Sequence, residues 1–265
     1  MKDKTTITQN SSIGSNTTQI GIQNNSYGLT PEATSKLAID LFMENFPKLQ
    51  EEANKIVRTR VDELVKEIIS EIEKKYNSNY SAFSNPDMQY ILVQAEKGYA
   101  RRGTKELCTL LSSLIADRST CLENSYLEII LDNAIKLAPS LLPSHLDYIS
   151  LIFLYKYTIF NNISTIEDIK EYFTEIHNLF QTTTSTEIVP YLNMLGILIL
   201  DLKNIEQAVA NAYSFNKQEI SKVLPPEHKK ITGDYGLTPV GIALAIFNIR
   251  AKSNWNIDIT TFIHE

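Results

Sequence analysis

The feature that most constrains the fold is a long apolar stripe at helical spacing between Leu49 and Tyr76. Apolar residues recur there at steps of three and four, which is the period of one face of an α-helix. Glycine and proline, which interrupt helices, are scarce at nine each in 265 residues. Such a stripe packs on its own domain or pairs with a second copy of the chain. Its members are Leu49, Ala53, Ile56, Val57, Leu64, Val65, Ile68, Ile72 and Tyr76.

The same period predicts further helices along the chain. Thr30 and Pro31 suit the start of a helix, which we expect Pro47 to kink or end. Later helices are predicted at 87–100, 104–118, 122–138, 146–160, 166–180, 188–200, 205–212 and 239–251. Residues 223–238 are predicted to form an exposed loop, and the alternating segment 254–263 a short C-terminal strand. Because the links are short, we expect a mainly α fold, either a multi-helix bundle or a stacked helical array.

Composition divides the chain into two predicted parts. Residues 1–28 form a leader that we expect to be disordered or β-forming, and residues 29–265 form a helical domain. The polar segment 77–86 is the best candidate for a boundary within that domain, because it interrupts the helical periodicity.

Charge and composition argue against several classes of function. The net charge of −6 does not suit a nonspecific nucleic-acid binder, which needs a basic surface. No apolar run approaches the roughly 18 to 20 residues that span a bilayer, and the start of the chain has no apolar segment typical of a secretion signal. The two cysteines are too few for a disulfide framework or a zinc site. We therefore expect a cytoplasmic protein with neither metal nor cofactor.

The leader is unusual because it carries no charge between Thr5 and Pro31. It is too polar to bury a core alone, so we expect it to be mobile in a monomer. In an extended conformation Ile20 and Ile22 share one face, while Gly21 and its amide neighbours share the other. In-register stacking of several copies would pair the backbones and align the amide side chains into ladders.

This segment resembles the short amyloid-forming signalling motifs of immune-type proteins, including the RIP homotypic interaction motif and its fungal and bacterial counterparts. Their pattern is a Gln–hydrophobic–Gly core with flanking asparagines, and here Asn16 precedes such a core. The resemblance implies self-assembly, or templating of a partner that carries a similar motif. An alternative is a purely solvated leader. The expected self-association residues are Gln19, Ile20, Gly21, Ile22, Gln23 and Asn24.

A second resemblance concerns the helical part. Four segments are similar to an uncharacterised family of bacterial helical proteins, namely 95–107, 114–118, 131–139 and 237–245. This resemblance covers nearly the whole chain, leader included, and implies one continuous helical unit. It implies no activity and no catalytic residue.

The densest basic cluster surrounds Gly98 and Gly103 and consists of Lys97, Arg101, Arg102 and Lys105. A helix break within this cluster would place guanidinium groups beside free backbone N–H groups, which suits a phosphate or an acidic ligand. The alternative is structural: Arg101 or Arg102 pairs with an acid such as Glu106, Asp117 or Glu123 to hold helices together.

No other residue type points to a reaction. None of the four histidines has metal-ligand spacing, and His145 is expected at a helix start, in a capping or solvated role. Cys108 falls in an apolar helical stripe and reads as a core thiol. The sequence therefore favours a non-enzymatic association module in a bacterial stress or antiphage response. The alternative is a ligand-sensing or enzymatic helical protein with its site near Lys97–Lys105.

Overall fold

The fold is mainly α-helical, as predicted. The computed structural model describes residues 31–76, 80–180, 187–201, 205–226 and 235–263. It divides into two compact units, Met1–Glu51 and Glu52–Glu265. The leader lies outside the described residues.

The helices follow one another with short connections. They are α1 (Pro31–Tyr76), α2 (Pro86–Arg102), α3 (Lys105–Arg118), α4 (Tyr126–Leu137), α5 (Pro143–Lys156), α6 (Ile166–Leu179), α7 (Ile188–Met194), α8 (Ile205–Tyr213), α9 (Lys217–Val223) and α10 (Pro239–Lys252). Short 3₁₀ turns occupy Ser81–Ser84, Ala138–Ser140 and Ile259–Thr261. In the part of the chain described here, no helix is both long enough and apolar enough to cross a membrane.

Pro47 does not end a helix, contrary to one of the two predicted outcomes. It lies inside α1, which continues on both sides of it. An interior proline removes one backbone hydrogen bond and costs about 3 kcal/mol. The flanking residues are mostly good helix formers, and in a helix of 46 residues the remaining bonds outweigh that loss.

The strands are not where the sequence predicted them. The expected helix 188–200 ends at Met194, and Leu198–Leu200 forms strand β1. Strand β2, Tyr235–Leu237, lies in the segment predicted as a loop, and it pairs with β1 in antiparallel register. The predicted C-terminal strand 254–263 is instead irregular chain with one 3₁₀ turn. A strand needs a partner edge, and β1 and β2 pair with each other.

A buried lysine ties α5 to this sheet. The Lys156 side chain is only 3% exposed and its Nζ donates to the carbonyl oxygen of Tyr235 at 2.6 Å. The same Nζ lies 3.2 Å from Oδ2 of Asp201, just after β1. A buried ammonium group is tolerated only when it is paired and hydrogen-bonded, and both conditions hold here.

The centre of the core is α10, which packs against α3, α4 and α5. Residues 241–249 of this helix are buried on every side, which explains the lack of a polar face in its sequence. Its one buried amide, Asn248, donates from Nδ2 to Ser150 at 2.9 Å and to Asp147 at 3.2 Å. Asp147 also pairs with Lys252, so the polar groups of this central layer are satisfied.

The predicted stripe of α1 is only partly buried. Leu64, Ile68 and Ile72 are in the core with at most 3% exposure. By contrast, Leu49 and Ile56 are each 51% exposed, although they belong to the same periodic pattern. The C-terminal part of the stripe, Leu64 to Ile72, therefore packs on its own domain, as one of the two predicted alternatives had it, whereas Ile56 in the same unit is exposed.

One buried arginine joins three helices. The side chain of Arg118 at the end of α3 is 5% exposed and contacts three carboxylates, each at 2.6 Å. These are Asp87 of α2 and Glu128 and Asp132 of α4. Burial raises the pKa of Asp132, while its bond to Arg118 opposes that shift. The guanidinium group thus compensates a local excess of negative charge.

Candidate anion-binding site

The six predicted self-association residues, Gln19 to Asn24, all lie outside the described residues. The structure therefore places only the second predicted cluster, the basic residues 97–105.

Gly98 lies inside α2, in agreement with the helix predicted over residues 87–100. This residue is buried in the middle of α2 and does not break the helix. A Cβ at Gly98 would lie 2.8 Å from the Cβ of Pro139, and closer still to its Cγ, so glycine is required for this close approach.

The helix break occurs at Gly103 alone. Its φ of +61° is the left-handed conformation that commonly ends helices at glycine. The N–H of Gly103 donates to the backbone carbonyl oxygen of Tyr99. The next residue, Thr104, caps α3 by accepting from the N–H of Leu107. The side chain of Arg60 packs beside Gly103 and donates to the carbonyl of Ala100 at 2.6 Å.

The predicted structural role of the arginines is not observed. Arg101 and Arg102 are exposed, and no ion pair involves either of them within the described ranges. Two of the three acids named as possible partners are engaged elsewhere: Asp117 pairs with Lys75 and Arg250, and Glu123 accepts from Asn85. The guanidinium groups therefore face solvent.

Arg102 lines a cavity of about 410 Å³, together with the start of α5 and part of α7. The other lining residues are Ser140, Leu142, Ser144, His145, Glu187, Ile188 and Tyr191. Lys97, Arg101 and Lys105 are not among the lining residues. Of the predicted cluster, Arg102 alone reaches this cavity in the described structure.

His145 is held in a defined orientation at the cavity wall. Its Nδ1 accepts a hydrogen bond from the N–H of Leu142 at 3.3 Å, so the neutral ring carries its proton on Nε2. The centroid of the His145 ring lies 5.1 Å from that of the Tyr191 ring. The Tyr191 hydroxyl donates to the backbone carbonyl oxygen of Ser140. Burial lowers the pKa of His145, so its ring is neutral at pH 7. The predicted capping role of this histidine is confirmed.

The cavity combines groups that bind anions with one acid. The first-turn N–H of Ser144 has no acceptor within α5, and the positive end of the helix dipole is nearby. Arg102 adds a full charge, whereas Glu187 brings a carboxylate to the same wall. A ligand that carries both an anionic group and a hydrogen-bond donor fits this set better than a simple anion does.

The cysteines are not arranged for catalysis. Burial raises the pKa of the Cys108 thiol, and it raises that of Cys121 to about 11. Both are therefore protonated at neutral pH and poor nucleophiles, in agreement with the predicted core thiol at Cys108. In the described ranges, no group of three histidines, cysteines or acids has a geometry that would hold a metal ion.

The sequence missed most of this cavity. Ser144, His145 and Tyr191 are about 40 to 90 residues from Arg102, so no local spacing connects them. The one available signal was Pro143 followed by Ser144 and His145, which marks the start of a helix and hence free N–H groups.

Comparisons with known proteins identify the family. A model of an uncharacterised protein family matches residues 28–232, which is well over half of the chain. Residues 1–27 and the closing segment 237–245, which the second resemblance had included, lie outside that match. Neither the curated proteins nor the solved structures contain a significant match. Because the match covers well over half of the chain, the chain belongs to this uncharacterised family.

Proposed function

We propose that the protein is a non-enzymatic, cytoplasmic association module of a bacterial stress or antiphage defence response. It works by homo-oligomerisation, or by templating a partner with a similar motif, through residues 1–28. The helical domain carries the leader, and the leader's Ile20–Gly21–Ile22 core makes the contact between copies. The proposal rests on the sequence of the leader and on one structural observation in α1.

That observation is the exposure of large apolar side chains along α1. Ile39, Met43, Leu49 and Ile56 are 51–60% exposed in the chain described. Single exposed apolar residues are ordinary, but a series of them along one helix is typical of a surface that contacts protein. Ile39 and Met43 are four residues apart and therefore lie on the same face of the helix. A second copy of the chain is the occupant that we propose.

Assembly should depend on both segments. We expect the full chain to form thioflavin-positive assemblies and Gly21→Asp to abolish them, because stacked strands would repeat the charge about every 4.8 Å. We expect Ile56→Glu to lower the mass of the soluble oligomer in light scattering, since it places a carboxylate in the apolar contact.

The matched controls carry the same charge elsewhere. Asn10→Asp lies in the leader outside the core, and Asn54→Glu lies two residues from Ile56 and therefore points to another side of α1. Both should assemble normally. If the wild-type chain and its isolated leader peptide stay monomeric even when seeded, the proposal is wrong.

A second candidate function is ligand sensing. It is supported by the position of Arg102 in the wall of the 410 Å³ cavity. Its guanidinium group, the Ser144 N–H and the neutral His145 ring offer donors to a phosphate or carboxylate. An acidic metabolite or nucleotide bound there would bridge α2, α5 and α7.

Thermal shift with inorganic phosphate, nucleotides and acidic metabolites tests this candidate. A ligand at a hundred times its Kd raises the free energy of unfolding by about 2.7 kcal/mol. We expect such a shift in the wild type and in Arg58→Ala, and its loss in Arg102→Ala. Equal shifts in all three proteins, or none with any ligand, would remove the support for this site.

A further inference from the structure

A second cavity, of about 220 Å³, lies along α6 and is lined by different residue types. One wall is aromatic and the other consists of acids, and no lysine or arginine is among the lining residues. The residues that line it are Phe160, Asn162, Ile163, Asp168, Glu171, Tyr172, Glu175 and Trp255.

The aromatic wall is a packed group of three rings. The ring centroid of Phe160 lies 4.7 Å from that of Tyr172 and 5.2 Å from that of Trp255. The hydroxyl of Tyr172 donates to the carbonyl of Leu154, which holds the ring in place. Burial raises the pKa of Tyr172, so the phenol stays protonated. Neutral aromatic faces carry the negative side of the ring quadrupole and attract cations.

The acidic wall comes from one face of α6. Asp168, Glu171 and Glu175 are three and four residues apart, so their side chains share that face. Asp168 has a structural task as well: its Oδ2 accepts from the N–H groups of Ser164 at 2.8 Å and Thr165 at 2.7 Å, which lowers its pKa.

The two glutamates have no such task. Both are exposed, and neither takes part in an ion pair or hydrogen bond among the described residues. Like charges one turn apart destabilise a helix slightly, so this arrangement costs stability unless a cation compensates it. The aromatic wall of the same cavity attracts a positive charge independently of the two glutamates.

We propose that this cavity binds an organic cation, a primary ammonium or guanidinium group whose face or methylene stem lies on Trp255 and Phe160 while its N–H groups donate to Glu171 and Glu175. Planar guanidinium is favoured, because it stacks on aromatic rings and donates to carboxylates at the same time. A bare metal ion would gain nothing from the aromatic wall. The cation comes from a free amine or from an arginine or lysine side chain of a polypeptide.

Trp255 makes the site directly observable, since it is the one tryptophan in the sequence. The full chain is titrated with agmatine and with a blocked Gly-Arg-Gly peptide, and tryptophan fluorescence is recorded. We expect a saturable change with at least one of the two probes. Binding of agmatine alone identifies a small amine as the source of the cation, and binding of the peptide identifies a side chain.

Three controls make the result specific. A citrulline peptide has nearly the same shape without the charge and should not bind. Glu171→Gln/Glu175→Gln should weaken binding about tenfold or more. Glu167→Gln removes a charge from the same helix outside the cavity, and it should bind as the wild type does. The inference is wrong if neither cationic probe changes the fluorescence, if citrulline binds equally well, or if the double variant keeps full affinity.

Discussion

Arg118→Ala is expected to lower the free energy of unfolding by about 3–5 kcal/mol, the usual cost of removing one partner from a buried ion pair. The loss leaves Glu128 and Asp132 without their cation, at side-chain exposures of 10% and 14%. Urea unfolding followed by circular dichroism measures the difference. Arg58→Ala is the matched control, because Arg58 is exposed on α1, and it should change stability little.

The defect should depend on pH in a defined direction. The pKa of Asp132 is already raised in the folded state by burial, so this group lowers stability as pH rises through the window above its ordinary value of 3.8. Loss of Arg118 raises the pKa further and widens that window. The variant should therefore lose less stability in mildly acidic buffer than at pH 7. A deficit that grows on acidification would contradict this account of the network.

Gly98→Ala is expected to lower the free energy of unfolding by about 2 kcal/mol through overpacking. An alanine in the middle of an exposed helix would instead gain roughly 1 kcal/mol over glycine. The sign is reversed here because the new methyl group would overlap the ring of Pro139. Thermal and urea unfolding of the full chain provide the measurement.

A double-mutant cycle serves as the control for this prediction. Pro139→Gly removes both the Cβ and the Cγ that the new methyl group meets, so Gly98→Ala should cost much less in the Pro139→Gly background. Two substitutions whose effects simply add would show that Pro139 is not the cause of the destabilisation.

Elements with a strong local pattern were predicted well. The helix that became α6 was placed within one residue of its observed end, because its apolar face is regular and Thr165 caps its start. Helix α3 begins at Lys105, one residue after its predicted start, because Thr104 caps it. These signals lie within one or two turns of chain, and tertiary contacts did not override them.

The errors occur where a partner distant in sequence decides the outcome. Ile199 and Gly236 lie in segments predicted as helix and loop, and they became strands because each supplied the other's edge. Gly98 was placed in a helix, but no local pattern could reveal that Pro139 packs on it. In the candidate sites, Arg102 and the acids of α6 were visible in the sequence, whereas His145 and Trp255 reached them only through folding.

The sequence by itself determined the helical class, most helix positions and the basic character of residues 97–105, because propensity, capping and periodicity are local properties of the chain. The tertiary structure alone decided which part of the α1 stripe is buried, which carboxylates surround Arg118 and which side chains line the two cavities. Those outcomes depend on burial and on charge compensation between residues that are far apart along the chain. Burial and charge compensation are properties of the packed core, so they cannot be inferred from a local segment of the sequence.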